Sequence, residues 1–106
     1  MFARMVELTV KKDKLNDLRA RLDSEILPFL RKQTGFTDEL VLRADGNPDR
    51  ILAISLWNTR EDAERYHREQ YAKIAEIIKP MLAADPTLQT FNVDVSTPHK
   101  ISAKAA

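Results

Sequence analysis

Apolar and polar residues alternate in short runs along the chain, and this pattern predicts four strands. Residues 4–10, 36–43, 51–57 and 90–96 carry apolar side chains at every second position or nearly throughout. Such runs are typical of strands that are buried on one face or on both. The turn sequence Asp45-Gly46-Asn47-Pro48 separates the second strand from the third.

Helical spacing of apolar residues predicts two helices between these strands. The first is expected to begin at Asp13, whose carboxylate can cap free N–H groups, to have a kink or a tightened last turn at Pro28, and to end at Gly35. The second is expected to begin at Thr59, with Asp62 three residues later, close to a capping box. The predicted inward face of the second helix consists of Ala63, Tyr66, His67, Gln70, Ile74, Ile77, Ile78 and Met81.

The order strand, helix, strand therefore occurs twice, which predicts an α+β fold on the ferredoxin-like βαββαβ plan. This plan has one four-stranded antiparallel sheet with two helices on one face. The strand at 51–57 is apolar on both sides, although two helices cover only one face of a sheet. A second copy of the chain is the simplest cover for the other face, so a homodimer is predicted. The alternative is that Ala53 and Ser55 leave one face tolerant of water.

Length and composition narrow the possible functions. The 106 residues predict a single domain, 1–106, in which about residues 97–106 form a polar, loosely ordered tail. Seventeen basic and sixteen acidic residues argue against a dedicated nucleic-acid binder. The lack of cysteine, of a glycine-rich loop and of HExxH spacing predicts no metal site and no nucleotide cofactor. No apolar run approaches the roughly 20 residues of a membrane span, so the expected location is the cytoplasm.

The best candidates for chemistry are polar and aromatic residues of the second helix. His67 can act as a base toward a phenol or donate a hydrogen bond to one, and Gln70 can hold a ligand carbonyl or hydroxyl. The alternatives are a core histidine bonded to a backbone carbonyl and a helix interrupted near Gln70. Trp57, Tyr66 and Tyr71 are candidates for binding a flat aromatic substrate, and ordinary packing is the alternative for all three.

Two further pairs of polar residues lie in or next to predicted strands. Arg4 and Glu7 are expected on opposite faces of the first strand, so they cannot both face one pocket. His99 and Lys100 follow the last strand and either reach a partner subunit or form a surface pair.

Two motifs resemble those of the antibiotic-biosynthesis-monooxygenase-like domains of the dimeric α/β barrel superfamily. Gly35-Phe36 matches a Gly-Phe that opens the second strand, and Trp57-Asn58-Thr59-Arg60-Glu61-Asp62 matches a tryptophan followed by a capped, acidic helix start. The resemblance covers nearly the whole chain. It implies a homodimer in which two sheets close a barrel, with a cavity between each sheet and its own helices.

The resemblance also limits the expected chemistry. Some members oxidise polycyclic aromatics with O₂ and neither metal nor flavin, whereas others degrade haem with a first-strand asparagine and a late-helix histidine. Here the first strand reads Met5-Val6-Glu7-Leu8, the late helix offers Glu76 and Lys79, and Tyr66 stands in place of a second tryptophan. The resemblance therefore favours a cofactor-independent monooxygenase-like protein that acts on a small phenol or quinol. A non-catalytic dimeric binding or stress-related module is the second hypothesis, and haem binding is a disfavoured third.

Overall fold

A four-stranded antiparallel sheet forms the centre of the fold. The computed structural model describes residues 1–97, with β1 at Phe2–Thr9, β2 at Phe36–Arg43, β3 at Arg50–Trp57 and β4 at Thr87–Asn92. The strand order is β2-β3-β1-β4, and every neighbouring pair is antiparallel. This order confirms the predicted α+β, ferredoxin-like plan.

Strand ends differ from the predicted ones by a few residues. The last strand covers Thr87–Asn92 rather than 90–96, because it begins directly after Asp85-Pro86 and pairs only as far as Phe2 of β1. Residues 98–106 lie outside the described residues. The predicted roles of His99 and Lys100 concern residues in this range. The predicted loosely ordered tail, about residues 97–106, also lies there except for its first residue.

The first helical segment is divided by a wide turn just before its proline. It consists of α1 at Leu15–Arg21, a π-helical turn at Leu22–Ile26 and α2 at Leu27–Arg31. Proline lacks an N–H and crowds the carbonyl four residues earlier, so a π turn at this position accommodates Pro28. The helix is thus irregular next to Pro28, by a widened turn that ends at Ile26 rather than by a tightened last turn.

The predicted cap of this segment was wrong. The residue that precedes α1 is Lys14, and no side chain caps the helix there. The Lys14 N–H donates instead to the Lys11 carbonyl at 2.9 Å, which places Asp13 in a turn before the helix.

The second helical segment begins as predicted and is interrupted in the middle. It consists of α3 at Arg60–Glu69, α4 at Tyr71–Ile78 and a 3₁₀ turn at Lys79–Met81. The Thr59 hydroxyl accepts a hydrogen bond from the Asp62 N–H at 3.1 Å, which confirms the N-cap. No helix among residues 1–97 is long and apolar enough to cross a membrane.

The interruption lies at Gln70, whose backbone angles of φ −126° and ψ −26° are not helical. Ala63 and Tyr66 are the buried residues of α3, whereas His67 is exposed. The prediction that His67 points into the core was therefore wrong. The predicted stripe runs through two helices with different phases, so Ala63 and Tyr66 are buried as predicted and the neighbouring His67 is not.

The two motifs that carry the family resemblance are in contact. Gly35 has a φ of +81°, a value that favours glycine, and its carbonyl accepts a hydrogen bond from the Asn58 N–H at 2.8 Å. A Cβ at this position would collide with the Asp62 carboxyl. The start of β2 therefore fits closely against the start of α3.

The sheet has one face on the helices and one face that no described helix covers. Side chains of the core lie on the helix side; they include Val6, Leu8, Leu18, Ile26, Leu30, Ile51, Trp57, Ile74 and Ile78. On the opposite face, Leu40, Leu42 and Phe91 remain 43–46% exposed. Both faces of the sheet therefore carry apolar side chains, as the sequence predicts.

Candidate ligand site around Arg4

A row of polar side chains crosses the helix-facing side of the sheet. Strand pairing places Arg4 of β1 between Ser55 of β3 and Thr90 of β4, and Ser55 is paired with Glu39 of β2. Paired residues project to the same side, so these four side chains form one line beneath the helices. Arg4 is only 3% exposed and Ser55 is also buried.

The Arg4 guanidinium is enclosed by aromatic side chains from α3 and α4. Its Cζ lies 5.1 Å from the Tyr66 ring centroid and 5.0 Å from that of Tyr71. Its Nη2 donates to Nδ1 of His67 at 2.9 Å. None of the ion pairs within residues 1–97 involves Arg4. Burial lowers the pKa of Arg4, yet a guanidinium keeps its proton in proteins, so Arg4 is a buried cation without a paired carboxylate.

The contact with Arg4 fixes the protonation state of His67. A guanidinium can only donate, so Nδ1 accepts and the neutral ring carries its proton on Nε2. Burial, and then the charge of Arg4, lower the pKa of His67. The ring also stacks on Tyr71, with centroids 5.1 Å apart. His67 is therefore neutral near pH 7 and offers an Nε2–H donor, and its partner is a guanidinium rather than a backbone carbonyl.

Trp57 supports this cluster from inside the core. It is fully buried, its Nε1–H donates to Ser55 Oγ at 2.9 Å, and its ring lies 4.9 Å from that of Tyr66. The edge of Phe36 completes the aromatic packing at 5.6 Å. Trp57 therefore packs the sheet onto α3, and any effect that it has on a ligand is transmitted through Tyr66.

The two tyrosines are neutral donors. Burial raises the pKa of Tyr66 to about 12 and also raises that of Tyr71, although the charge of Arg4 opposes both shifts. Gln70 contributes through its backbone: its N–H donates to the Tyr66 carbonyl at 2.8 Å, and its side chain does not cap α4. The proposed ligand contacts of Gln70 stay a prediction.

Arg4 lies between two spaces of different size. A groove of about 300 Å³ runs beside α3, β1 and β4; it is lined by Phe2, Arg4, Arg60, Ala63, Glu64, His67, Arg68, Leu88 and Thr90. An internal cavity of about 60 Å³ lies between the sheet and its own helices, where the family resemblance predicts one. A volume of 60 Å³ corresponds to about two waters, whereas ligand pockets begin near 300 Å³. The groove is therefore the space that can accept an aromatic ring.

Glu39 lies at the polar end of the internal cavity, with Ser55, Tyr66 and Tyr71. Burial raises the pKa of Glu39 to about 8, and the charge of Arg4 opposes the shift. Glu39 is accordingly protonated near neutral pH and does not neutralise Arg4.

Arg4, Glu39 and their row were not predicted from the sequence as parts of a site. The available signal was a polar residue at an inward position in each of three predicted strands, which the strand order of this fold places side by side. Within residues 1–97, no three His, Asp or Glu side chains converge as ligands for a metal ion.

The fold and the site define a ferredoxin-like α+β domain with a ligand-sized groove over a buried cation. The sequence profile of the antibiotic biosynthesis monooxygenase family matches residues 1–76, and the chain belongs to this family. A search of curated protein sequences finds no match.

Solved structures with the same fold include two described as putative antibiotic biosynthesis monooxygenases. The one from Deinococcus radiodurans has a TM-score of 0.76 at 16% identity, over 94% of this chain and 99% of its own. The one from Nitrosomonas europaea has a TM-score of 0.73 at 18% identity, over 88% and 98%. A monooxygenase of Streptomyces coelicolor, solved in complex with nanaomycin D, has a TM-score of 0.76 at 13% identity, over 93% and 92%. These likenesses confirm the fold.

Proposed function

We propose that the chain is a cofactor-independent monooxygenase that acts on a small electron-rich aromatic of the phenol or quinol type. The observation that carries this proposal is the buried Arg4 cation at the groove, paired with no carboxylate among the described residues. Membership of the family supports the reaction class. The size of the groove supports a single small ligand rather than a large one.

Arg4 is the group that favours the reactive form of such a substrate. An opposite charge within about 4–6 Å lowers the pKa of an acid by roughly 1–3 units. A phenol with an ordinary pKa near 10 would then titrate at about 7–9 beside Arg4, so a useful fraction is phenolate at neutral pH. Electrostatic stabilisation of a substrate anion in a site that is already organised is a strong catalytic effect.

His67 acts in this proposal as a hydrogen-bond donor to the substrate oxygen. Its Nδ1 is occupied by Arg4, and a second positive charge beside Arg4 is unfavourable, so the imidazole is a poor base. The phenolic proton leaves to solvent through the open groove. Tyr66 and Tyr71 hold the guanidinium, and Trp57 holds Tyr66.

The overall reaction balances without an added reductant. The phenolate transfers an electron to O₂, and the resulting pair combines so that a C–O bond forms para to the oxygen. The distal peroxide oxygen takes up a proton, equivalent to the one that the phenol released. Loss of the para hydrogen as a proton, with cleavage of the O–O bond, then gives a quinone and hydroxide. Hydroxide takes up the proton released from the para position and becomes water, so a phenol and O₂ yield a quinone and water. The substrate supplies all four electrons.

One observation favours binding without turnover as a second candidate function. Among the described residues that line the groove, no base is free to accept a proton, since His67 is bonded to Arg4 and Glu64 is paired with Arg60 at 3.1 Å. A non-catalytic module would use the same groove and the same cation.

We also propose that the chain is a homodimer through the sheet face that no described helix covers. The exposure of Leu40, Leu42 and Phe91 on that face supports this assembly. The groove lies on the other side of the sheet, so dimerisation would leave its helix-side wall in place.

Oxygen uptake tests the catalytic proposal. A panel of phenols, hydroquinones and dihydroxynaphthalenes is offered to the wild type, to Arg4→Met and to Arg50→Gln. Met keeps the bulk of the side-chain stem without the charge, and Arg50 is a control because it pairs with Glu7 on the opposite sheet face at 2.7 Å. We expect uptake by the wild type and Arg50→Gln, and at least a tenfold loss in Arg4→Met. Ligand-induced thermal shifts without uptake would instead support the binding module.

A further inference from the structure

The groove carries more positive charge than one substrate anion requires. Arg4 lies at its buried side, and Arg60, Glu64 and Arg68 lie along α3 at intervals of four residues. Such spacing places the three α3 side chains on one helical stripe, with about 12 Å between the Cα atoms of the two arginines. Three cations therefore face one carboxylate in the same groove.

The two α3 arginines differ in how firmly they are engaged. Arg60 pairs with Glu64 at 3.1 Å, and its Cζ lies 5.7 Å from the centroid of the Phe2 ring. Within residues 1–97, the acidic oxygen nearest to Arg68 belongs to Glu69 at 3.9 Å, beyond hydrogen-bond distance, and the Arg68 side chain is 66% exposed. Of the two α3 arginines in the groove, Arg68 is therefore the one whose guanidinium N–H groups are available to a ligand.

The surface between the cations is apolar. Phe2, Ala63 and Leu88 line the groove between the β1–β4 side and α3, and Leu88 is exposed. A flat ring on this surface would contact these apolar side chains. Arg4 would lie at the buried side of the ring, and Arg68 would lie at its exposed side. This combination suits an amphipathic anion better than a neutral ring.

We propose that Arg68 forms a second anion-binding position and that the ligand is a hydroxy-aromatic acid. Its hydroxyl oxygen contacts Arg4, its ring covers the apolar surface, and its carboxylate contacts Arg68. The proposal rests on the proposed function because it uses the same groove, and it adds the substrate class. Residue Arg68 acts here in substrate selection and takes no part in the oxidation.

Two matched ligands distinguish this proposal from the alternative that Arg68 is a solvated surface residue that contacts no ligand. The ligand 6-hydroxy-2-naphthoate carries both groups on one flat ring system, and 2-naphthol carries the hydroxyl alone. An exposed arginine–carboxylate contact corresponds to a preference of up to about fivefold, and the preference is expected to shrink as salt is added.

The experiment is calorimetric titration of both ligands without oxygen, so that binding is measured independently of turnover. The variants are Arg68→Gln and, as the matched control, Arg65→Gln, since Arg65 is also exposed on α3 but does not line the groove. We expect the wild type and Arg65→Gln to prefer the naphthoate by about fivefold, and Arg68→Gln to bind both ligands alike.

Each outcome has a distinct meaning. Equal binding of both ligands by the wild type would refute the second anion position and leave the proposed function intact. A preference that persists in Arg68→Gln would refute the assignment to Arg68. Binding of neither ligand would overturn the groove as a ligand site, and with it the proposed function.

Discussion

Replacement of Glu39 by glutamine should stabilise the protein at neutral pH. Burial holds the pKa of Glu39 near 8, whereas the carboxyl titrates near 4.5 when the chain is unfolded. Between these values the native state retains a proton that the unfolded chain has lost, so stability falls as pH rises from 4.5 to 8. Glutamine resembles the protonated carboxyl in shape and carries no such penalty.

The size of the effect follows from the interval between the two pKa values. Each pH unit corresponds to about 1.4 kcal/mol, so the penalty is near zero at about pH 4.5 and reaches roughly 3 kcal/mol at about pH 7. Glu39→Gln should therefore raise the free energy of unfolding by about 3 kcal/mol near pH 7 and by less than about 1 kcal/mol near pH 5.

Urea unfolding of both proteins at these two pH values, at one fixed protein concentration, measures the difference. Glu7→Gln is the matched control, because Glu7 lies on the opposite face of the same sheet and its hydrogen bond to Arg50 lowers its pKa. That variant should show no gain at either pH. If Glu39→Gln gains nothing near pH 7, or gains equally at both values, Glu39 is not a buried, protonated carboxyl.

Three further predictions concern other parts of the molecule. Gly35→Ala should lower the free energy of unfolding by about 1–3 kcal/mol in urea titrations, because the backbone is left-handed and the new Cβ meets Asp62; an unchanged midpoint would contradict the close fit. Leu40→Asp should shift gel-filtration elution from dimer to monomer, while an aspartate at Val95, which is 85% exposed, should not. His67→Ala should reduce oxygen uptake about tenfold and His67→Gln less, because glutamine still donates; equal activity of all three proteins would exclude a hydrogen bond from His67.

The fold was predictable because its signals are local. Alternation in the strands and the Thr59 cap depend on residues close in sequence, and the structure confirms both. Asp13 is also a suitable N-cap residue, but here the Lys14 N–H donates to the Lys11 carbonyl in a turn, and the helix begins after that turn. Local propensity is a reliable guide to whether a helix or strand forms and a less reliable guide to the residue at which it begins or ends.

The site was less predictable because it depends on strand register and helix phase. A single helical stripe through 63–81 places both Tyr66 and His67 inward, whereas in the helix that is broken at Gln70 Tyr66 is buried and His67 is exposed. Glu7 is the acidic residue that accompanies Arg4 in the first strand, yet the neighbours of Arg4 in the fold are Ser55 and His67, 51 and 63 positions away. Such partners become visible only when the order and the register of the strands are known.

Burial explains why the ionisable groups around Arg4 are neutral. Burial, and then the charge of Arg4, lower the pKa of His67, and burial outweighs the pull of Arg4 on Glu39, so both side chains stay uncharged near pH 7. A cation surrounded by neutral partners is expensive to bury, and a ligand anion would remove that cost. As pH rises above 8, Glu39 ionises and begins to supply the missing negative charge from within the sheet. Ligand and Glu39 therefore compete for the same cation, and an anionic ligand should stabilise the fold more below that pH than above it.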